Sequence, residues 1–600
     1  MRGPHTLVAA LAHNAATGAR RPALIDGAGP VDFGTLEARS MAVARALQAA
    51  GIGAGDRVLY LARDTVAVYE LLYGCARIGA VLVPVDPRLT AAEAGYIREH
   101  SGVRVVVTDD PGRFGPIPVT VVPLADYPAW RDGAGGPVPA EFPATADTPV
   151  VQMYTSGTTG RPKGVVLADR TFFAVRSLLD EAGLDWIDWR PGDVSLIALP
   201  SFHIGGMWWA LQALNAGVAS VVLPRFTAAA AVAAVREHRV TTCCFVPAML
   251  LLILSEPEAG RADLASLRKI VYGGSPIGPD LLARAVDTFG CEFAQIYGLT
   301  ETGNTAICLP PADHRPGGRL PHAAGRPYPG VGVQIRCPDG SVAPPGETGE
   351  VLLRSPARMV EYFADPDATT ATVTVDGWVR TGDAGYLDDE GYLVLRDRVE
   401  DLVIVAGENV YPAEVEKAIG AHPDVHDCAV VGAPDDHWGE RVHAFVVPRP
   451  GAGLTTRELG RFLAGRLAGF KVPARYEFLD VIPRNPSGKI QRRQLRERFR
   501  ADRDRRVGRA AGHPLACGPA GWEGAGPMTL TRQGIVDDIA ELLCADPDVL
   551  TAETDLADLG LDSLRLTTLV ERWRGAGARI GFAELAEEPV LGTWFARLGI

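Results

Sequence analysis

The chain is 600 residues long, with 59 Lys and Arg against 72 Asp and Glu and a formal net charge of −13. That length exceeds one ordinary core, and 47% apolar content fills several, which excludes wholesale disorder. The negative charge speaks against a broad basic face for nucleic acid or an anionic membrane, and nine cysteines with no C-x-x-C pair exclude a disulfide scaffold and the common zinc patterns.

Residues 1–18 hold too short an apolar run, and no convincing cleavage site, for a signal peptide, so a cytoplasmic protein is expected. Helical periodicity over 39–50 and 67–78 alternates with apolar strand patterns at 57–61, 80–85 and 103–108. Further strands are predicted at 194–199, 219–223 and 269–272. Such alternation points to an α/β fold with parallel, helix-covered sheets. The most apolar stretch, 240–254, contains Pro247 and is shorter than the ~20 residues that span a bilayer; it reads as a buried strand followed by a helix. Short strands and Gly/Pro turns from about 330 to 400 predict a β-rich subdomain, and 400–500 a compact mixed unit with a basic end. Residues 508–529 are dense in Gly, Ala and Pro without periodicity, as in a linker. Apolar residues at Ile535, Ile539, Leu542 and Leu543, then at Leu566, Leu569, Val570 and Trp573, restore helical spacing in a small final domain.

Only five lysines (163, 269, 417, 471 and 489) stand among the 59 basic residues, leaving 54 arginines. A chain that uses Arg for its generic cations keeps Lys where a compact point charge is needed. Lys163 closes the string YTSGTTGRPKG at 154–164, which packs hydroxyls and glycines before a cation. Glycines admit backbone N–H groups close to an anion, hydroxyls donate, and Lys adds charge, which together make a phosphate cradle; the alternative is a flexible surface loop. The string is neither a Walker A loop nor a Rossmann fingerprint. A second string, LGLDSL at 559–564, places Ser563 just before a helix, either as an N-cap or as the anchor of a phosphodiester.

The 154–164 string resembles the signature loop of the adenylate-forming superfamily of acyl-CoA synthetases, luciferases and peptide-synthetase adenylation domains. The resemblance runs over residues 1 to about 500 through further motifs in order: FHIGG at 202–206, YGGSP at 272–276, YGLTET at 297–302, GETGE at 346–350, TGD at 381–383, RDRVED at 396–401, GENVYP at 407–412 and PRNPSGK at 483–489. It implies a large adenylation domain over 1–398, a small mobile α+β domain over 399–505, a linker over 506–530 and a separate four-helix carrier domain over 531–600. It implies ATP, Mg²⁺ and 4'-phosphopantetheine as cofactors. Thr155, Ser156, Gly157, Thr158, Thr159, Gly160 and Lys163 would cradle phosphates. Gly274, Ser275, Tyr297 and Gly298 would hold the adenine side, with Asp383 and Arg398 on the ribose. Glu301 would bind Mg²⁺, Thr300 would donate to the α-phosphate, and Lys489 would reach the reacting carboxylate and α-phosphate. Glu400 falls at the domain hinge, where Asp or Lys is usual, and Gly407 at the thiol tunnel.

The final domain resembles a phosphopantetheine carrier with Ser563 as attachment site, and Trp573, the segment 582–589 and Trp594 resemble the aryl-carrier subtype, with Val590 where Thr is frequent. At the acid pocket His203, Ile204 and Gly205 supply no carboxylate for an α-ammonium group, which disfavours a free amino acid. Ile204 stands where salicylate-type members usually have Asn. Met207, Trp208 and Trp209 would either wall a short aromatic pocket or pack as buried helix residues.

The expectation is a two-step acid–thiol ligase that activates a carboxylic acid, aromatic or otherwise lacking an α-amino group, and loads its own carrier. A phosphopantetheinyl transferase and a downstream biosynthetic synthase or acyltransferase would be its partners, with no nucleic acid and no membrane. The alternatives are a ligase using free CoA beside a fused carrier, or a catalytically silent carrier-presenting scaffold.

Overall fold

The structure is a computed structural model. It describes every residue except 1–3, 115–117, 138, 156–161, 185, 257–262, 276, 315–322, 399–400, 402, 406–407, 436–438, 465, 468, 485–488, 500–530, 544–546, 548–549, 555, 557–560, 562–565, 567–568, 571, 574–577, 579, 581–584, 586–589 and 600. The chain divides into two compact units, 1–395 and 396–600.

The larger unit is built on three sheets. The first runs Glu361–Tyr362, Lys163–Ala168, Pro149–Thr155, Val81–Pro84, Arg57–Leu61, Val105–Thr108, Thr120–Pro123. It is parallel from Pro149–Thr155 onward and antiparallel at the hairpin end. The second has nine strands, in the order Arg326–Pro327, Ile307–Leu309, Glu292–Tyr297, Lys269–Gly273, Thr242–Phe245, Val194–Ile197, Ala219–Val222, Pro22–Asp26, Gly29–Asp32. Its centre is parallel and its two ends antiparallel. Strands such as Arg57–Leu61 and Lys269–Gly273 read as unbroken apolar runs because both faces are covered. One core joins the first two sheets through the helices Val66–Arg77 and Ile204–Asn215, which are buried over most of their length. The helix predicted from 39 begins earlier, at Phe33, because Asp32 caps it: its Oδ1 accepts from the Thr35 N–H at 2.7 Å. The third sheet is the expected β-rich part, Gly332–Arg336, Gly349–Arg354, Val379–Leu387, Leu393–Arg398.

In the smaller unit, Glu408–Val410, Val403–Val405, Gly439–Pro448 and Val425–Asp435 form a sheet in that order, with Arg475–Phe478 parallel to Gly439–Pro448. Each face carries an apolar core, one around Val415, Ile419 and Leu459, the other around Phe445, Ile482 and Leu495. A separate core gathers the periodic residues of the last seventy, with Trp573 and Trp594 edge to face at 5.8 Å and the Trp573 Nε1–H donating to Asp538 at 2.8 Å. The helices Arg532–Leu543 and Leu591–Leu598 belong to it.

Candidate active site

The central strands of the nine-stranded sheet are parallel, so their carboxyl ends share one edge, the place where open α/β sheets present ligand-binding loops. Gly274 and Ser275 follow Lys269–Gly273, Gly298 to Glu301 follow Glu292–Tyr297, and His203 follows Val194–Ile197 by one short turn. Three of the predicted motifs are therefore brought to one edge by topology alone.

The YGLTET motif closes into a tight loop. The Leu299 N–H donates to Thr302 Oγ1 at 2.8 Å, Thr300–Thr302 make a single 3-10 turn, and the Asn304 N–H returns to the Leu299 carbonyl at 2.9 Å. A Cβ on Gly298 would stand 2.3 Å from the Asn304 carbonyl oxygen, so only glycine fits there. Thr300 is half-buried and Glu301 is 9% exposed.

The phosphate-cradle string begins and ends in strand. Thr155 pairs with Lys163 in the antiparallel hairpin, both half-buried. Ser156, Gly157, Thr158, Thr159 and Gly160 lie outside the described residues. The short strand Glu361–Tyr362 adds to the Lys163–Ala168 edge, with Val360 N–H to Val166 at 2.8 Å and Phe363 N–H to Gly164 at 2.7 Å on either side. This pairing sets Tyr362 between two predicted residues. Lys163 Nζ lies 5.0 Å from the centre of its ring, and its hydroxyl donates to Glu301 Oε1 at 2.8 Å. Burial, together with the Glu301 carboxylate, pushes the phenol pKa up, so Tyr362 remains a donor. The geometry thus brings together a lysine and a carboxylate that the sequence separates by more than a hundred residues.

Asp383 is delivered by a bulge. Glu350 pairs with Ala384 but Leu352 with Arg380, so the three TGD residues stand opposite Val351 alone and their strand carries two extra residues. Gly382 takes φ +69°, and Thr381 Oγ1 donates to the Val351 carbonyl at 2.7 Å while accepting from the Asp383 N–H at 3.0 Å. Asp383 Oδ2 then accepts from the Tyr297 hydroxyl at 2.6 Å, which joins the predicted adenine-side and ribose-side residues.

His203 occupies the N-cap position of Ile204–Asn215, its ring 4.8 Å from that of Phe202. The turn before it is fixed by buried Asp64, which accepts from the Ser201 N–H at 2.8 Å and from the Ser201 hydroxyl. Ile204 and Gly205 are half-buried, and a Cβ on Gly205 would lie 3.8 Å from Asn304 Oδ1. Asn304 Nδ2 is buried without a hydrogen-bond partner. Met207, Trp208 and Trp209 are at most 3% exposed in the core between the sheets, which places them as buried helix residues; Trp208 also lines a small cavity with Phe172, Trp186, Gln212 and Tyr328.

Lys489 is exposed on the smaller unit. Arg398 ends the strand Leu393–Arg398 with its side chain outside the described set, and Glu400, Gly407 and Ser563 lie outside the described residues. The sequence reading missed Tyr362 and Asn304. Tyr362 carries no motif, whereas Asn304 could have been flagged as a polar residue two positions beyond the YGLTET string. Among the described residues no three or more His, Cys, Asp or Glu side chains converge as a metal site. A single buried carboxylate suits Mg²⁺ that arrives with nucleotide, because that ion takes one or two protein carboxylates with phosphate oxygens and water.

Comparisons with known proteins agree with this layout. Residues 11–363 match the family model described as AMP-binding enzyme, 414–489 the AMP-binding enzyme C-terminal domain, and 533–598 the phosphopantetheine attachment site. The chain is 52% identical over 511 residues to a fatty acid–[acyl-carrier-protein] ligase, ScoC, of Streptomyces coeruleorubidus, covering 84% of this chain and 98% of that protein. It is 36% identical over 476 residues to a feruloyl-CoA synthase of an Amycolatopsis species, covering 79% of this chain and 95% of that one. Among solved structures it resembles ATP-bound MatB from Rhodopseudomonas palustris, with a TM-score of 0.75 and 30% identity over 82% of this chain and 99% of that one. It also resembles o-succinylbenzoate CoA synthetase (MenE) from Bacillus subtilis in complex with the acyl-adenylate intermediate OSB-AMP, with a TM-score of 0.72 and 32% identity over 81% and 97%. The chain belongs to the AMP-binding, adenylate-forming enzymes: it is an ATP-dependent acid–thiol ligase fused to a phosphopantetheine carrier domain.

Proposed function

We propose that this ligase activates a carboxylic acid without an α-ammonium group, aromatic or aliphatic, and passes it to the phosphopantetheine thiol on its own Ser563. The observation that supports the reading is the Lys163–Tyr362–Glu301 corner, where a cation and a buried carboxylate both meet one tyrosine, an arrangement suited to a magnesium triphosphate. In the first step a carboxylate oxygen bonds to the α-phosphorus of ATP and pyrophosphate leaves. The 155–160 segment and Lys163 hold the phosphates, Glu301 the Mg²⁺, and Thr300 and Lys489 the charge developing at the α-phosphate. Gly274, Ser275, Tyr297 and Gly298 flank adenine, Asp383 and Arg398 take the ribose, and His203, Ile204 and Gly205 admit the acid. For the second step Glu400 would be the hinge and Gly407 would line the thiol's path, and the phosphopantetheine arm on Ser563 would supply the sulfur that takes the acyl group as AMP and the thiol proton are released. The loaded carrier then supplies a starter unit to a downstream synthase or acyltransferase. Within the acid class, the 52%-identical fatty acid–[acyl-carrier-protein] ligase favours an aliphatic acid, and the aryl-carrier resemblance of the final domain an aromatic one.

A second reading, free CoA as acceptor, is favoured by relatives named as CoA ligases, including an indoleacetate–CoA ligase at 37% identity. Converting the chain with a phosphopantetheinyl transferase and offering an acid panel with and without CoA separates the two. Self-loading predicts intact-mass acylation of wild type but not of Ser563→Ala, with ATP–pyrophosphate exchange equal in both. Acyl-CoA as the main product, with an empty carrier, would replace this reading with the second.

A further inference from the structure

We propose that His100 and Tyr154 are positioning residues that set the phosphate-binding hairpin from beneath, through a hydrogen-bond chain whose direction requires a neutral His100. The proposal rests on the reading of 155–163 as the phosphate cradle. Neither side chain is among the proposed nucleotide ligands; both act through the two ends of the hairpin.

Tyr154 immediately precedes Thr155 and pairs with Gly164 across the hairpin. Its oxygen accepts from Gln152 Nε2 at 3.0 Å and lies 2.7 Å from His100 Nδ1. Gln152, two residues back on the same strand and fully buried, accepts at Oε1 from Arg57 Nε at 3.2 Å. Counting donors orients Gln152 within the chain. Arg57 can only donate, so the Gln152 carbonyl faces it and the amide NH₂ faces Tyr154. The phenol has one proton, and in the proposed chain it is given to His100 Nδ1 at 2.7 Å, with Gln152 donating to the same oxygen. His100 must then be neutral, with its own proton on Nε2. A protonated imidazole would turn two donors on one another and leave the phenol proton without its acceptor.

The same side chains hold the far end of the hairpin. His100 stacks on Tyr96 at 5.4 Å, and the Tyr96 hydroxyl donates to the Pro162 carbonyl at 3.3 Å. Phe363, whose N–H donates to the Gly164 carbonyl, lies edge-on to His100 at 5.7 Å and under the Arg57 guanidinium at 4.2 Å. One cluster therefore fixes residues 154, 162 and 164, at the two ends of the segment proposed to meet the triphosphate. Burial lowers the His100 pKa, opposed by Asp365; the other charged or titratable groups around the ring are Arg57, Tyr96 and Tyr154.

The test is acid-dependent ATP–pyrophosphate exchange with the full chain. His100→Ala and Tyr154→Phe are each expected to raise KM for ATP about five- to tenfold, the worth of one hydrogen bond, while KM for the acid stays put; Tyr154→Phe, which leaves the buried Gln152 amide without its acceptor, should also lower the melting temperature. His100→Gln offers an amide oxygen to the phenol and cannot titrate. It should recover most of the lost affinity, and its kcat/KM for ATP relative to wild type should rise as pH falls from about 8 to about 5. Thr158→Ala, in the cradle itself, is the control. If it raises KM for ATP while His100→Ala and Tyr154→Phe do not, the positioning role is wrong and the cradle stands. If it too leaves KM for ATP unchanged, the cradle reading fails and the proposal with it. A pH profile of His100→Gln that superimposes on wild type, or parallel rises in both KM values, also overturns the proposal.

Discussion

Two corners of the larger unit each hold one of the five lysines, and they are built on opposite rules. Lys269 is 2% exposed and closed by partners: Nζ donates to the Trp186 carbonyl and to Asp188, and pairs with Glu292 at 3.2 Å. Next to it Arg268 binds both Asp188 and Asp193. Burial alone would push those two acids up. Hydrogen bonds from Lys269, Arg268 and Arg190 to Asp188, and from Arg268, Arg190 and Thr241 to Asp193, hold both below the ordinary carboxylate range. Lys163 and Glu301 are left open. Each touches Tyr362, and neither has an ion pair among the described residues. A charge taken from water for structure must be matched on the spot, because an unmatched one costs several kcal/mol. A charge meant for a ligand keeps its matching group elsewhere until the ligand comes. Rarity of lysine alone does not separate the two cases; the partner set does.

The most direct way to break this contrast is Lys269→Met. It removes one of three cationic donors to Asp188 and the donor to the Trp186 carbonyl, and is expected to lower stability by about 3 kcal/mol, with KM values of the surviving folded protein unchanged. Chemical denaturation and pyrophosphate exchange on one preparation measure both. A stable Lys269→Met with impaired catalysis would make Lys269 a functional residue and erase the distinction.

Lys489→Ala is the converse. Lys489 is exposed, so the melting temperature should change little while adenylation falls about 10²–10³-fold, the usual effect of removing one donor to developing transition-state charge. Thioester formation from pre-made acyl-adenylate should be far less affected. Equal losses in both half-reactions would show that Lys489 does not act selectively in adenylation.

Glu301→Gln sharpens the contrast within the open corner. Glutamine keeps an oxygen for the Tyr362 hydroxyl but loses the charge. Exchange at limiting Mg²⁺ should fall by about 2 kcal/mol, roughly 30-fold, and recover partly as Mg²⁺ is raised, without a change in melting temperature. Unaltered Mg²⁺ dependence would remove Glu301 from the site.

What the sequence made legible follows the same division between local and distant causes. The strand expected at 57–61 is found at Arg57–Leu61, and the one expected at 269–272 at Lys269–Gly273, because an apolar run between turn residues is a local signal. The N-terminal helix Leu7–Gly18 was read only as an apolar run too short to be a signal; its Leu7 N–H is anchored by Asp169, 162 residues away. In the site, each motif that fits within one loop was readable as a string. Tyr362 was not, since its strand is two residues long and its partners are Lys163 and Glu301. The tryptophans at 208 and 209 were ambiguous because pocket wall and buried helix share one composition, and only packing between the two sheets resolved them.

Asp64 offers the smallest effect and a third case, a buried acid with neither counter-ion nor ligand. It is fully enclosed and accepts two hydrogen bonds from Ser201. Burial pushes its pKa up to about 6 from 3.8, only partly offset by those bonds, and the nearby Asp86 charge adds to the rise. The sign follows from linkage. Because the folded value lies above the unfolded one, the protonated form is the one folding favours. Its contribution is complete below the unfolded pKa of 3.8 and is lost as pH rises through about 6. Asp64→Asn cannot ionise, so the stability difference between variant and wild type should grow across that window and level off above it. At neutral pH the variant should be ahead by about 1 kcal/mol, less than the full linkage value because asparagine has one oxygen where Ser201 donates to both carboxylate oxygens, and its NH₂ must turn to the Ser201 hydroxyl as donor. Paired thermal melts from acid to neutral pH read this difference with other titrations cancelled. Since Ser201 lies two residues before His203, KM for the acid in Asp64→Asn reports whether that turn has shifted, and it should not move if the two bonds persist. A stability difference independent of pH would mean that Asp64 stays ionised in the fold. It would then belong with Asp188 as a matched charge, and the division of buried charges into matched, open and neutralised would lose its third class.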